Sequence, residues 1–155
     1  MKVNDYNFIY SGVEGIYVLD RVAFKDKFDE DGNNDWEKSS GKKKLQEWAE
    51  ENLTKEILEQ FDVDIPAIEE VFSQKMFNLW GDPAYKLISE QLLIFQNSDN
   101  RMMEFEGRPL WWWMRSAYAG DAYRVWNVDT DGGMYNYGAN FTGGFVPVLR
   151  RRKRK

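Results

Sequence analysis

The sequence predicts an α+β fold with a helical N-terminal half, followed by a small antiparallel sheet with long loops. Residues 36–61 repeat apolar side chains at helical spacing, with charged residues on the opposite side. Residues 111–149 are short aromatic and β-branched segments separated by glycine-rich turns, a pattern typical of strands. Within them, Thr130-Asp131-Gly132-Gly133 supplies the positive φ angles of a hairpin turn. Helices followed by strands give the α+β class.

Composition limits the classes of function. The chain has 155 residues, enough for one domain with a real core, and we expect that domain to cover residues 1–149. Cysteine and histidine are both absent. Their absence excludes disulfides, Ser-His-Asp and Cys-His nucleophiles, and Cys/His zinc sites. The net charge of −5 argues against a nucleic-acid partner, which would require a basic face.

The two ends of the chain bear on its location. No apolar segment follows Met1-Lys2, so we expect no signal peptide and a cytoplasmic or virion-associated protein. No apolar run is long enough to predict a membrane span. The basic tail, residues 150–155, predicts a disordered and solvated end, with attraction to phosphates or a membrane as the alternative.

The first residues predict strands and an acidic loop. Residues 1–10 form a short strand or an arm, and the β-rich, partly continuous apolar run 15–24 predicts one central strand. Residues 26–34 are acidic with glycine and asparagine, which predicts a loop. Asp29, Asp31 and Asn33 alternate as in a calcium loop. The rest of that pattern is missing, so we expect a solvated loop and no metal.

Residues 36–61 predict the main helix, with Ser39 or Ser40 as its N-cap. Pro66 ends this region and begins a second short helix over 66–78. The apolar stripe of the main helix predicts core; it comprises Leu45, Trp48, Ala49, Leu53, Ile57, Leu58 and Phe61. After it we expect a turn at 81–83, a strand running into a helical turn over 84–95, and a loop over 96–108.

The C-terminal third predicts four strands. They cover residues 111–115, 122–128, 134–137 and 145–149, with a loop over 139–144. From Ser116 to Leu149 the chain contains no Lys, Glu or Gln, although 30% of all residues are charged. Tyr, Asn, Asp, Gly and Thr take their place. This composition resembles that of antibody binding loops, where Tyr gives contact area at a low entropic cost.

Three segments in this region form a recognisable series: Trp112–Ser116, Val128–Gly132 and Gly144–Leu149. Together they resemble the C-terminal signature of C-type-lectin-like domains related to the formylglycine-generating enzyme. Earlier segments are similar in layout: Tyr17–Asp20, Leu45–Trp48 and Lys86–Glu90. The match is specific over roughly the last forty residues. The resemblance implies a C-type-lectin-like domain over residues 1–149.

Within that group the chain is similar to variable proteins of diversity-generating retroelements. Those elements rewrite template adenines, so AAC codons become codons for Tyr, Asp, Gly, Arg, Phe, Thr, Ser or Asn, and never for Lys, Glu, Gln, Trp or Met. Residues 118–144 follow this rule nearly throughout, with Trp126 and Met134 as unchanged template positions. The resemblance implies a ligand-display protein with a variable face over about 118–143. The face would comprise Tyr118, Asp121, Tyr123, Arg124, Asn127, Asp129, Tyr135, Asn136, Tyr137, Asn140 and Phe141.

We expect the ligand to be a protein or another cell-surface molecule, and we expect no enzymatic activity, cofactor or metal. The cysteines used by the formylglycine-generating enzyme are absent, so that activity does not carry over. Two alternatives stay open. One is a carboxylate-based carbohydrate-active enzyme using Asp121 with Asp129 or Asp131. The other is a structural virion or assembly protein that uses the first helix as an oligomer seam.

Competing interpretations also exist for individual residues. Tyr135, Tyr137 and Phe141 could be ordinary sheet packing, because aromatic residues favour strands. The segment 129–132 could be part of a calcium loop, although a hairpin turn explains it more simply. Neither the ligand nor the oligomeric state follows from the sequence.

Overall fold

The computed structural model describes residues 1–76 and 91–153 and has an α+β architecture built mostly of strands. The strands are β1 Lys2–Val3, β2 Tyr6–Tyr10, β3 Ile16–Leu19, β4 Phe24–Lys27, β5 Phe61–Asp64, β6 Glu104–Phe105, β7 Arg108–Pro109, β8 Trp112–Ala117, β9 Arg124–Val128, β10 Met134–Gly138, β11 Thr142–Phe145 and β12 Val148–Arg151. The α-helices are α1 Ser40–Asn52, α2 Lys55–Gln60 and α3 Ile68–Val71, and 3-10 turns cover Trp36–Lys38, Leu93–Gln96 and Ser98–Arg101.

The strands form three sheets. The first has the order β1-β2-β3-β12-β5 and is antiparallel throughout, with the last strand lying between two early ones. The second has the order β10-β9-β8-β11-β4, and its β8 and β11 are parallel. β6 and β7 form a separate hairpin. The second sheet carries most of the residues predicted to bind ligand.

A single cluster of buried apolar side chains fills the space around these sheets. Trp112 and Trp113 on β8 are among its largest fully buried members. The helix α1 covers the cluster with Leu45, Trp48 and Ala49, as its apolar stripe predicts. Its N-cap is Ser39, whose side chain accepts a hydrogen bond from the backbone N–H of Lys42. Both expectations for this helix are confirmed.

The prediction of a helical N-terminal half is wrong. Four strands precede the first α-helix, and α1 is the one long helix among the described residues. The run 15–24, predicted to be one strand, is split between two sheets: its first part forms β3, and Phe24 begins β4. The chain crosses between the sheets at Asp20–Ala23. An apolar run buried in either sheet has the same sequence pattern, so periodicity does not reveal the crossing.

The predicted helix over 36–61 is also wrong in extent. It consists of a 3-10 turn, α1 and α2, with a break at Leu53 and Thr54. Thr54 starts a new helix because its hydroxyl accepts a hydrogen bond from the N–H of Ile57. Phe61 lies in β5. The second short helix begins at Ile68, after Pro66.

In the C-terminal third, the hairpin β9–β10 is confirmed, and so are strands near 111–115 and 122–128. The loop predicted over 139–144 holds for residues 139–141, whereas residues 142–144 belong to strand β11. The predicted last strand is divided at Pro147 between β11 and β12. Gly143 and Gly144 make β11 possible. A Cβ atom at Gly143 would lie 2.4 Å from the ring of Trp111, and one at Gly144 would lie 2.9 Å from Val22.

The start of the basic tail, which the sequence predicts to be disordered and solvated, forms the end of strand β12. Arg150 and Arg151 belong to β12: Arg150 pairs with Ile16 on β3 and Asp62 on β5, and Arg151 pairs with Phe61 on β5. Arg152 forms an ion pair with Asp62. The predictions for 77–90 lie outside the described residues; they include the turn at 81–83, the strand from 84 and the segment Lys86–Glu90. No helix in the described ranges is long and apolar enough to cross a membrane.

A network of charged side chains joins the two sheets. Arg150 on β12 makes two hydrogen bonds of 2.7 Å with the Glu70 carboxylate on α3. Arg115 on β8 lies 3.8 Å from the same carboxylate and 3.6 Å from Asp64. Asp64 also accepts a 2.9 Å hydrogen bond from Trp36 Nε1. Glu70 is buried, so its charge depends on these partners.

The pKa of Glu70 gives the network a pH dependence. Burial raises the pKa of this carboxyl, but hydrogen bonds and charge from Arg150, a backbone N–H from Ala67 and the charge of Arg115 together bring it below the ordinary value. A carboxyl whose pKa is lower in the folded state contributes stability above its unfolded-state pKa. That contribution is lost as the pH falls through the folded-state pKa.

We predict that Glu70→Gln lowers the free energy of unfolding by about 2 kcal/mol at neutral pH, because the partly buried Arg150 guanidinium loses the carboxylate of its two short hydrogen bonds and keeps only Asp64, at 3.7 Å, as an ion-pair partner. Urea denaturation measured by circular dichroism tests this. Glu69→Gln on the same helix is the matched control, since Glu69 forms no ion pair among the described residues. The difference between the two variants should shrink at acidic pH. Equal stability at neutral pH would contradict the proposed role of the network.

Candidate functional site

The register of the hairpin divides the predicted contact residues between two faces of the second sheet. Tyr135 pairs with Asn127 and Tyr137 with Val125, so these four side chains lie on one face. The neighbouring pairs, Asn136 with Trp126 and Gly138 with Arg124, lie on the other. Seven of the eleven predicted residues fall into two groups rather than on one flat surface.

The first group is an aromatic patch made of Trp111, Tyr135, Tyr137 and Phe141. The Tyr137 ring lies 4.7 Å from Trp111, 5.0 Å from Tyr135 and 5.4 Å from Phe141, measured between ring centroids. Tyr135 and Phe141 are 49% and 51% exposed. Trp111 fixes the patch to the core, because its ring meets Trp113 edge-on at 4.7 Å.

The surroundings of the aromatic patch are polar. Asn140 is exposed beside Phe141, and Tyr123 is 67% exposed. The carbonyl of Tyr123 accepts a 2.7 Å hydrogen bond from the N–H of Ala139, which holds its backbone next to the end of β10. Burial and the charges of Asp129 and Tyr135 raise the pKa of the Tyr137 hydroxyl. Tyr137 therefore stays a neutral hydrogen-bonding group at physiological pH.

The second group is a polar cluster of Tyr118, Asp121, Arg124 and Asn136. One carboxylate oxygen of Asp121 accepts the backbone N–H groups of Tyr123 and Arg124, at 2.9 and 2.8 Å. The other accepts the Arg124 Nε–H at 2.7 Å. The guanidinium lies 4.2 Å from the ring centroid of Tyr118 and 3.5 Å from the Asn136 side-chain oxygen.

Asp121 is held firmly in its charged form. The Arg124 backbone N–H, the Arg124 side chain and the Tyr123 N–H lower the pKa of this carboxyl to about 2. The same pairing raises the pKa of Arg124. Asp121 thus shapes the turn before β9 and orients the guanidinium, which is 47% exposed on its side chain and can reach a ligand.

Two residues that position these groups were missed by the sequence analysis. Asn34 donates from its side-chain amide to the carbonyls of Asp121, at 2.9 Å, and Arg124, at 3.0 Å, joining the acidic loop to the polar cluster. Arg101 is buried and donates to the carbonyls of Gly132, at 2.9 Å, and Phe95. It holds the β9–β10 turn in place. The contacts of Asn34 and the contact between Arg101 and Gly132 join segments distant in sequence, so they have no local signal.

Asn127 was predicted to face the ligand, and that prediction is wrong. Its side chain is fully buried, because it lies in a cross-strand row between Trp113 on β8 and Tyr135 on β10. Neither its amide nitrogen nor its amide oxygen has a hydrogen-bond partner in the part of the chain that the structure describes. Successive side chains of a strand point to opposite faces whatever their polarity, and this alternation directs the Asn127 side chain to the buried face.

The acidic segments serve as turns and caps. Asp29 accepts the backbone N–H groups of Asn33 and Ser40, both at 3.0 Å, and so closes its loop onto the start of α1. Asp129 closes the hairpin turn, where Gly132 has a φ of 84°. Among residues 1–76 and 91–153, no group of three or more His, Cys, Asp or Glu could hold a metal ion.

These features define a mixed α+β domain that presents an aromatic patch and a polar cluster at one edge of its second sheet. The chain belongs to the family described as Domain of unknown function (DUF6273), whose model matches residues 15–149. The matched range contains every residue of the patch and of the cluster. No curated protein and no solved structure matches the chain.

We predict that Asn127→Leu raises the free energy of unfolding by about 1 kcal/mol, since leucine has a similar volume and removes two buried polar atoms without partners. Chemical denaturation measures the change. Asn136→Leu, on the same hairpin but half-exposed and in contact with Arg124, is the control and should not stabilise. A clear loss of stability in Asn127→Leu would mean that the amide is hydrogen-bonded in solution.

Proposed function

We propose that this chain is a ligand-binding protein whose recognition surface consists of the aromatic patch and the polar cluster. The observation that carries the proposal is the exposure of Tyr135 and Phe141 in ring contact with Tyr137. Large aromatic side chains exposed together typically mark a binding surface. Tyr, Trp and Arg are also the residues that most often dominate binding energy at interfaces.

Ordinary sheet packing accounts poorly for these side chains. A packing role would bury Tyr135 and Phe141, as it buries Trp113 and Phe145 elsewhere in the same sheet. Their rings instead contact other members of the patch and leave about half of each side chain exposed. Exposing these apolar rings to water costs free energy, and a partner that covers the rings removes that cost. The proposed ligand is therefore a protein or another cell-surface molecule with an apolar feature.

The polar cluster extends the proposed surface around the edge of the sheet. Tyr135 and Tyr137 lie on one face of β10, whereas Asn136 lies on the opposite face beside Arg124. A ligand that covers β10 would meet aromatic rings on one side, and an amide with an exposed guanidinium on the other. Arg124 is held by Asp121, so little side-chain entropy is lost when it binds.

We also propose that this surface is diversified by a retroelement and that the fold is C-type-lectin-like. The hairpin at Val128–Gly132 supports this, because the signature requires a hairpin at that position. Most residues of the diversification set are exposed or half-exposed, as interchangeable positions should be. Asn127 is the exception, and we exclude it from the proposed set.

The two alternative functions are less well supported. A glycosidase needs one carboxyl with a raised pKa to act as an acid, whereas the pKa of Asp121 is about 2 and its oxygens are engaged by Arg124. An assembly role for the first helix needs an uncovered apolar stripe. Leu45, Trp48 and Ala49 are instead buried in the core.

We predict that the DNA flanking the coding region contains a reverse transcriptase gene and a template copy of the segment encoding residues 118–143. The two copies should differ at template adenines, and the differences should fall in codons of exposed residues such as Tyr123, Tyr135 and Phe141. The codons of Trp126 and Met134 should be identical. Sequencing the locus in several isolates tests this. Isolates that vary equally at every codon would contradict diversification while leaving ligand binding open.

Ligand binding is tested by selecting a phage-displayed random peptide library on the immobilised full chain. We predict that Tyr135→Ala and Phe141→Ala each weaken binding of the enriched peptides by about tenfold or more, because each removes a large contact side chain. The matched control is Tyr10→Ala, which removes a tyrosine that is 54% exposed on the first sheet. Affinities from biolayer interferometry and unfolding curves for each variant separate loss of binding from loss of fold.

Two outcomes would contradict the proposal. In one, no peptide is enriched on the native chain. In the other, enriched peptides bind Tyr135→Ala and Phe141→Ala as tightly as they bind the control variant Tyr10→Ala.

A further inference from the structure

We infer that the partner binds as an extended peptide segment that adds a strand to the free edge of β10. This inference rests on the proposed function and names the kind of ligand that the same surface accepts. β10 is the terminal strand of the second sheet, and among the described residues it pairs with β9 on one side only. The direction of the backbone N–H and C=O groups of β10 determines where an added strand can form hydrogen bonds.

The backbone hydrogen bonds of the hairpin show which groups face outward. The N–H of Asp129 donates to the carbonyl of Gly133 at 2.8 Å, and the N–H of Ala139 donates to the carbonyl of Tyr123 at 2.7 Å. Hydrogen-bonded pairs alternate along an antiparallel ladder, so Tyr135 and Tyr137 direct their backbone groups toward β9. The backbone groups of Met134, Asn136 and Gly138 therefore point away from the sheet.

These outward groups are largely without partners. The Gly138 carbonyl accepts the N–H of Phe141 at 3.0 Å. Among the described residues no other outward N–H or carbonyl of β10 takes part in a hydrogen bond outside the sheet. The outward N–H and C=O of Asn136 form a donor and acceptor pair at the centre of the strand. Such a pair is what an incoming strand requires.

Two other edge strands, β4 and β1, are protected against pairing with another chain, and β10 is not. β4, at the far edge of the same sheet, has the sequence Phe-Lys-Asp-Lys, and Asp26 on it is paired with Lys44. β1 at the edge of the first sheet has two residues. Charged side chains and short strands are the usual means of preventing pairing with another chain. β10, Met-Tyr-Asn-Tyr-Gly, has five residues and no charge or proline.

The side chains around this edge specify the chemistry of the segment. Tyr135 and Tyr137 lie two residues apart on one face, so alternate residues of an added strand would lie beside them. Those residues should be apolar or aromatic. At the turn end of the hairpin, Asp129 and Asp131 form no ion pair with described residues. The segment should therefore carry a lysine or arginine at that end.

Strand addition is tested with the peptides enriched on the full chain from the displayed library. Asn136→Pro removes the outward N–H at the centre of β10 and leaves every aromatic side chain in place. Proline is tolerated at such an edge position because the missing N–H faces away from the sheet. Asn136→Ala, which keeps the N–H, is the matched control. We expect the proline variant to bind the peptides about tenfold or more weakly than the alanine variant, which accounts for the loss of the Asn136 amide alone.

A second measurement does not depend on how the proline variant folds. Each amide of an enriched peptide is N-methylated in turn, and its affinity for the native chain is measured. Pairing with β10 predicts that methylation weakens binding at every second residue, because alternate N–H groups face the sheet edge. Enriched peptides should also share apolar residues at alternate positions and a basic residue at one end.

The outcomes separate this inference from the proposed function. If Tyr135→Ala and Phe141→Ala weaken binding while N-methylation has no period of two, the surface binds ligand but not by strand addition. If the alanine variants have no effect, both proposals fail. If the chain instead dimerises in analytical ultracentrifugation and Asn136→Pro abolishes the dimer, the edge accepts a second copy of this chain and the peptide proposal is overturned.

Discussion

The alternation of Trp112 and Trp113 along β8 is the constraint on which the rest of the structure depends. Both side chains are fully buried, and consecutive strand residues point to opposite faces, so both faces of the second sheet must be covered at this strand. Phe95 and the carbonyl of Arg101 meet Trp112 on one side. Phe28 and the carbonyl of Asp26 meet Trp113 on the other. A sheet covered on both faces at its centre can offer a binding surface only toward its edges.

The cross-strand row from β8 to β10 shows over what distance the side chains of this sheet change from buried to exposed. Trp113, Asn127 and Tyr135 stand opposite one another in register, and their exposed fractions are 0%, 0% and 49%. The interior therefore gives way to solvent within one strand spacing, about 4.8 Å. Asn127 falls on the buried side of this boundary and Tyr135 on the exposed side. At this edge Trp111 and Tyr137 pack against the core, while Tyr135 and Phe141 extend into solvent.

What the sequence could predict depended on whether the signal was local. The Asp131-Gly132 turn determined the β9–β10 hairpin, and the absence of Lys, Glu and Gln over 116–149 indicated exposed aromatic residues. The burial of Asn127 depends on neighbours in two other strands, and no property of asparagine itself reports it. The pairing of Glu70 with Arg150 spans 80 residues, and the crossing between β3 and β4 follows from the arrangement of two sheets. Such features arise from topology, which the hydrophobic pattern of one segment does not contain.

If the proposed function holds, the domain must accept different ligands without unfolding, and most of the interactions that stabilise it lie away from the proposed surface. The charged network of Glu70, Arg115 and Arg150 and the buried tryptophans of β8 lie outside residues 118–143. Substitutions at exposed positions away from such features usually change stability by no more than about 0.5 kcal/mol. Tyr123, Tyr135 and Phe141 are positions of this kind, whereas Trp126 and Asn127 are buried and would not tolerate free exchange. On the proposed function, exposed positions of the edge strand and its adjoining turns would vary with little effect on stability, because the charged network and the buried tryptophans of β8 lie on other elements.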